Sequence, residues 1–120
     1  MPSYKAPVAD VAFLLNEVFP VSALSALDGF GDLTPDMLDA ILSEAGRMCE
    51  EKLQPLNRIG DTEGCRRDTA GHVTTPTGFA EAFRAYVEAS WLSLAADPAH
   101  GGQGLPYTLA AVVNEFASSA

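Results

Sequence analysis

The side chains that could do chemistry in this sequence are few and scattered. The most suggestive stretch is Gly101-Gly102-Gln103-Gly104, placed just before a new helical pattern. Backbone N–H groups of a glycine turn at a helix N-terminus can hold an anion. The stretch is not G-x-G-x-x-G, no strand pattern leads into it, and it lacks the Lys-Ser/Thr of a P-loop. Turn geometry is the expected reading, with ligand contact as the lesser one. His72 and His100 stand alone in loops, with no second His at helical spacing, so metal ligation is not expected. Glu50, Glu51 and Glu115 fall on helix surfaces without a paired carboxylate or a nucleophile, which leaves no general acid–base set. Cys49 and Cys65 lack C-x-x-C spacing, so neither a disulfide framework nor a zinc site is expected; Cys49 falls among apolar positions and reads as a small core residue. Arg66-Arg67 reads as a solvated doublet or as local ion pairs to Asp61, Glu63 and Asp68, with anion binding the minor alternative. The residues therefore nominate no catalytic, cofactor-binding or metal-binding position.

The elements that would position a site are helices. Residues 1–6 read as an extended lead. Pro7 suits a first helical position, and Val8, Val11, Leu14, Leu15 and Val18 form one apolar stripe that Pro20 ends. A helical turn at VSALSAL and a loop at Asp28-Gly29 and Gly31-Asp32 follow. Thr34-Pro35-Asp36 is a strong helix start: a hydroxyl cap, a preset first turn and an acid at the positive end of the dipole. Leu38, Ile41, Leu42, Ala45, Met48, Cys49, Leu53 and Leu56 form its apolar face. The pattern predicts a helix over 35–59, bent by Pro55. Residues 60–74 lack periodicity and suggest turns with a short hairpin around Ala70-Gly71. Thr75-Pro76 repeats the start signal, and Phe79, Ala82, Phe83, Tyr86, Val87 and Ser90 form the next stripe, with the aromatics Phe79, Phe83 and Tyr86 expected in the core. A fourth helix is expected from near Pro106, carrying Leu109, Val112, Val113 and Phe116. It is still running at Ala120, the mark of a cut chain. The fold class expected is all-α, an up-and-down-like bundle of about four amphipathic helices.

Composition excludes several function classes. The chain has 120 residues, 48% hydrophobic and 19% charged, which suits one globular domain at most. A net charge of -9 with only 7 Lys and Arg argues against nucleic acid. The N-terminus lacks the basic start and long apolar run of a signal peptide, and no apolar run could span a bilayer. Reduced thiols then fit a cytoplasmic location.

Beyond this point a resemblance extends the reading. SYKAPVADVAFLLNEVF (3–19), CEEKLQPLNRIGDTEGC (49–65) with VTTPTGFAEAFRAYVEASW (73–91), and LSLAADPAHGGQGLPYTLAAVVNEFASSA (92–120) resemble, in order, the N-terminal region of acyl-CoA dehydrogenases. The first stretch is similar to an extension carried by a larger bacterial branch. The family usually has glycine where Ser90 stands and an aromatic where His100 stands; residues 20–33 match poorly. The resemblance implies a division into an N-terminal extension over 1–33 and a partial helical domain over 34–120. It implies a parent enzyme that uses FAD to oxidise an acyl-CoA thioester to the 2,3-enoyl-CoA and passes electrons to an electron-transferring flavoprotein. That parent would be a homo-oligomer, with the remainder of the dehydrogenase as this segment's own partner. A base removes the α-proton and the flavin accepts the β-hydride, in domains beyond this region. No catalytic or flavin residue is carried over, no FAD is expected on this chain alone, and the segment is not expected to be catalytic by itself. The alternative is a stand-alone acidic helical interaction module. A flavin needs a wide, dry slot, so a wall of one would carry surplus apolar surface. The run Trp91, Leu92, Leu94, Leu105, Leu109, Val112, Val113 and Phe116 is the sequence's candidate for that surplus.

Overall fold

In a computed structural model the described residues are 3–31 and 33–120. Helix α1 spans Val8–Phe13 and runs into a wider π-helical turn, Leu14–Val18, closed by the Phe19 N–H on the Leu14 carbonyl at 2.7 Å. Pro20 follows, as expected, and a short 3₁₀ segment covers Val21–Ala26. Asp32 of the predicted loop and Met1 and Pro2 of the predicted lead lie outside the described residues.

Helix α2, Pro35–Met48, begins where the start signal placed it. The Thr34 hydroxyl accepts the Met37 N–H at 3.2 Å, which satisfies one of the orphan donors of the first turn. A π-helical turn, Cys49–Leu53, joins it to α3, Gln54–Glu63. Pro55 explains the join. It has no N–H, and its ring would press on a carbonyl one turn back; a widened turn relieves both problems without breaking the helix. The helix therefore continues past the predicted end at residue 59, to Gly64 at φ 61. Gly60, inside the extended helix, is a seat: a Cβ there would lie 2.7 Å from the tip of the Phe79 ring.

The predicted hairpin is present as β1, Arg66–Arg67, paired antiparallel with β2, Val73–Thr74, around Gly71 at φ 93. The third helical pattern starts later than its Thr-Pro signal. Helix α4 is Phe79–Glu88, preceded by Gly78 at φ 86. The Thr77 N–H goes to the Glu63 carboxylate at 2.8 Å, so this turn is satisfied across the loop and not by a cap from Thr75. Helix α5, Tyr107–Ser119, begins just after Pro106.

The all-α expectation holds. The core is formed by α1, α2, the Cys49 turn and α5, with Leu38, Leu42, Cys49, Leu109, Val113 and Phe116 fully buried. Val11, Leu15 and Val21 join the same cluster. The helices form a slab of 56 × 37 × 16 Å. Its accessible surface is 7824 Å², against roughly 6200 Å² for a compact monomer of this mass. The excess marks faces that this chain does not cover itself. Among the described residues, no helix is long and apolar enough to cross a membrane.

Candidate functional site

The glycine turn is closed on itself. After α4, Ser90 at φ 62 redirects the chain into a 3₁₀ turn at Trp91–Ser93, and Leu94 inserts into the core. A second 3₁₀ turn, Pro98–His100, is capped by the Asp97 carboxylate, which accepts the Ala99 N–H at 2.8 Å. The returning strand then spends its donors. Gly101 N–H goes to Pro98 O, Gly102 to Asp97 O, Gln103 to Ser93 O, Gly104 to Ala96 O and Leu105 to Leu94 O, all at 2.9 to 3.1 Å. The turn-geometry reading holds, and the anion reading fails for a physical reason: no N–H from Gly101 to Leu105 is left to donate. Gly102 is required by contact, since a Cβ there would overlap the Ala96 carbonyl.

Ser90 gives the family's glycine preference a cause. It is the one non-glycine at positive φ among the described residues. The left-handed region costs a residue with a Cβ about 1–2 kcal/mol. Ser90→Gly is therefore expected to stabilise the chain by about 1 kcal/mol after the extra unfolded-state entropy of glycine is counted. A thermal melt showing no gain would contradict it.

The remaining polar candidates stay apart. His72 sits with Asp68, whose carboxylate takes the His72 N–H at 2.9 Å and its Nδ1 at 3.0 Å; these bonds hold Asp68 below the usual carboxylate range. Glu63 is held low by the Thr77 N–H first, with Arg66 a lesser influence. Ion pairs from Arg66 or Arg67 to Asp61, Glu63 or Asp68 are absent among the described residues; both arginines are solvated. Glu51, Glu115 and His100 are not brought together with any of these. Among the described residues, no group of three or more His, Cys, Asp or Glu could hold a metal ion. Cys49 is in the core as expected; burial first, and then the Glu50 charge, push its thiol up to about 11. Cys65 is exposed.

One site-like feature among the described residues is apolar. A groove of about 450 Å³ runs between α3, α4 and the end of α5. Leu53 and Leu56 line one wall, Phe79, Phe83 and Tyr86 the other, and Leu92 one end. Asn57, Asn114, Ser118 and the Tyr86 hydroxyl supply its polar groups, and Asn57 donates to the Ala120 carbonyl at 3.3 Å. Burial raises the Tyr86 hydroxyl above its ordinary value, with Cys49 adding a smaller push.

Two sequence expectations are corrected here. Of the three aromatics, Tyr86 packs against the core, Phe79 is half-buried outside the core cluster, and Phe83 is 63% exposed on the groove wall with Val87 exposed beside it. The run from Trp91 to Phe116 is not the surplus face either. Leu94, Leu109, Val113 and Phe116 are buried in the chain's own core, and Trp91, Leu105 and Val112 pack against it, leaving Leu92 exposed. Periodicity identifies an apolar stripe but cannot say which stripe finds a partner within the chain. Exposed apolar surface lies instead on α4, at Phe83 and Val87, and on the first helical segment, at Phe13, Leu14, Val18 and Phe19.

Taken alone, these residues do not fit FAD. The groove lining has no Lys or Arg to meet a pyrophosphate, and its polar side chains are the amides of Asn57 and Asn114 and the hydroxyls of Ser118 and Tyr86. No step of a flavin reaction is assigned to it.

The described residues thus form a helical slab with an uncovered apolar groove. The likeness in sequence is to the acyl-CoA dehydrogenases. It is carried by 3-methylmercaptopropionyl-CoA dehydrogenase from Ruegeria pomeroyi, 37% identical over 118 residues, a match that covers 98% of this chain. The chain spans 20% of that relative's length. No family model matches the chain.

Proposed function

We propose that this chain is the N-terminal helical part of an FAD-dependent acyl-CoA dehydrogenase, structural in role and not catalytic by itself. The carrying observation is the 37% identity sustained over nearly the whole chain. The uncovered apolar groove supports the same reading. On this reading the whole enzyme performs α,β-dehydrogenation of an acyl-CoA thioester, and the relative's name points to 3-methylmercaptopropionyl-CoA as the first substrate to try. Flavin, acyl-CoA and electron acceptor are handled mainly by parts of the enzyme outside this chain. The division into an extension over 1–33 and a helical domain over 34–120 belongs to this proposal, as does a cytoplasmic location. An electron-transferring flavoprotein and a homo-oligomer are the partners proposed for the whole enzyme.

A chimaera tests the family reading directly. This chain replaces the matching residues of the Ruegeria enzyme, and flavin content and substrate-dependent dye reduction are measured. The expected result is a yellow, active chimaera. One that folds by circular dichroism yet holds no flavin and has no activity would overturn the reading. The non-catalytic part is tested separately. The chain with added FAD and acyl-CoA is expected to give no turnover and no saturable change in Trp91 fluorescence. Turnover by the isolated chain would sink that part alone. The groove also favours a second reading, a module that docks an amphipathic helix; a stoichiometric complex with an unrelated helical protein would support it.

A further inference from the structure

We propose that residues 3–7 form a releasable strap, clasped by Glu50, whose opening uncovers the Cys49 side of the core while the rest of the fold stays intact. The strap is not helical and lies along α2 and the π-helical turn that follows it. Its ties converge on one side chain. Lys5 Nζ sits 2.6 Å from one Glu50 oxygen, and the Ala6 N–H donates to the other at 3.0 Å. Apart from the helix it leads into, the Ala6 bond is the backbone tie of this segment to the fold among the described residues.

The surface beneath is shaped to receive it. A Cβ on Gly46 would come 2.8 Å from the Val8 methyl and 3.1 Å from the Ala6 methyl, so Gly46 is the groove in which the strap lies. Tyr4, Ala6 and Val8 are half-buried against the core cluster that contains Cys49. Tyr4 lies near Cys49 and Glu115, and their charges add to burial in raising its hydroxyl. Cys49 itself is 0% exposed.

The strap is nevertheless weakly held. Lys5 is 78% exposed, and an exposed ion pair contributes little. A short non-helical segment with a single backbone tie, and a clasp exposed at its Lys5 end, has the physical marks of one that opens below the global unfolding free energy.

Cys49 reports the opening. In a Cys65→Ser background, its reaction with a maleimide is followed from zero to low denaturant, and global unfolding by circular dichroism. The expected result is labelling with a much weaker denaturant dependence than global unfolding. Glu50→Gln should speed labelling about 10-fold with little change in the unfolding midpoint, because an amide has one acceptor oxygen where the carboxylate uses two, so it keeps at most one of the two bonds and loses the negative charge that strengthens it. That variant also removes a negative charge beside the thiol, so Lys5→Ala is the discriminating control. Loss of the clasp predicts faster labelling, by roughly 3-fold, whereas loss of a cation by itself disfavours thiolate and predicts slower labelling. Labelling that follows global unfolding in every variant, or slowing in Lys5→Ala, overturns the proposal.

Discussion

Gly102→Ala is expected to cost about 3 kcal/mol and to lower the melting temperature by about 10 °C. The residue after the left-handed Gly101 is not itself at positive φ, so the demand is one of space and not of backbone strain. A single methyl there would overlap the carbonyl of Ala96, which accepts the Gly104 N–H. Backbone cannot rotate away as a long side chain can. Relief would break the ladder that ties residues 102–105 to residues 93–97, and with it the seating of Leu94. Gly101→Ala makes the comparison: its φ of 84 is unfavourable, but nothing lies within 4 Å of its Cβ. That change is expected to cost about 1 kcal/mol. Thermal melts of the two variants check the ranking. A Gly102→Ala protein that melts with wild type, or above Gly101→Ala, would show that the turn is looser than described.

The second large effect concerns two phenylalanines that look equivalent in sequence. Each sits on the apolar stripe of an amphipathic helix. Phe116 is 1% exposed between α5 and α2, and Phe83 is 63% exposed on the groove wall. Phe116→Ala is expected to cost about 3–5 kcal/mol, from lost transfer energy and the cavity left behind. Against a total of about 5–15 kcal/mol, that removes a large share of the stability of this chain. Phe83→Ala is expected to stay within about 1 kcal/mol, because its ring is already largely in water. Urea unfolding followed by circular dichroism gives both values. Equal costs would mean that the groove is closed in solution, by rearrangement or by a second copy.

Much of the fold was legible from local chemistry. Thr34-Pro35-Asp36 marked the start of α2, Pro20 the end of the first helix, and Pro106 the entry to α5. Cys49 was assigned to the core by its place on the α2 stripe. Each of these follows from interactions within a few residues, which a sequence displays directly. The misreadings have a common form. The helix expected to end at residue 59 runs on to Glu63, with Gly60 against Phe79; Thr75-Pro76 looked like a helix start and is a turn whose donor goes to Glu63. In each case a residue distant in sequence decided the outcome.

The sequence by itself determined the helical class, the stripes, and a likeness to acyl-CoA dehydrogenases carried by ordered motifs. Only the tertiary structure decided which stripe is core and which is left open. A hydrophobic period shows that one face wants burial, whereas the neighbour that buries it is set by packing between segments. By the same rule only the folded chain could show that the glycine turn spends its donors on residues 93–98. Hydrogen-bond partners across a turn depend on where the chain returns, and the order of residues does not record that.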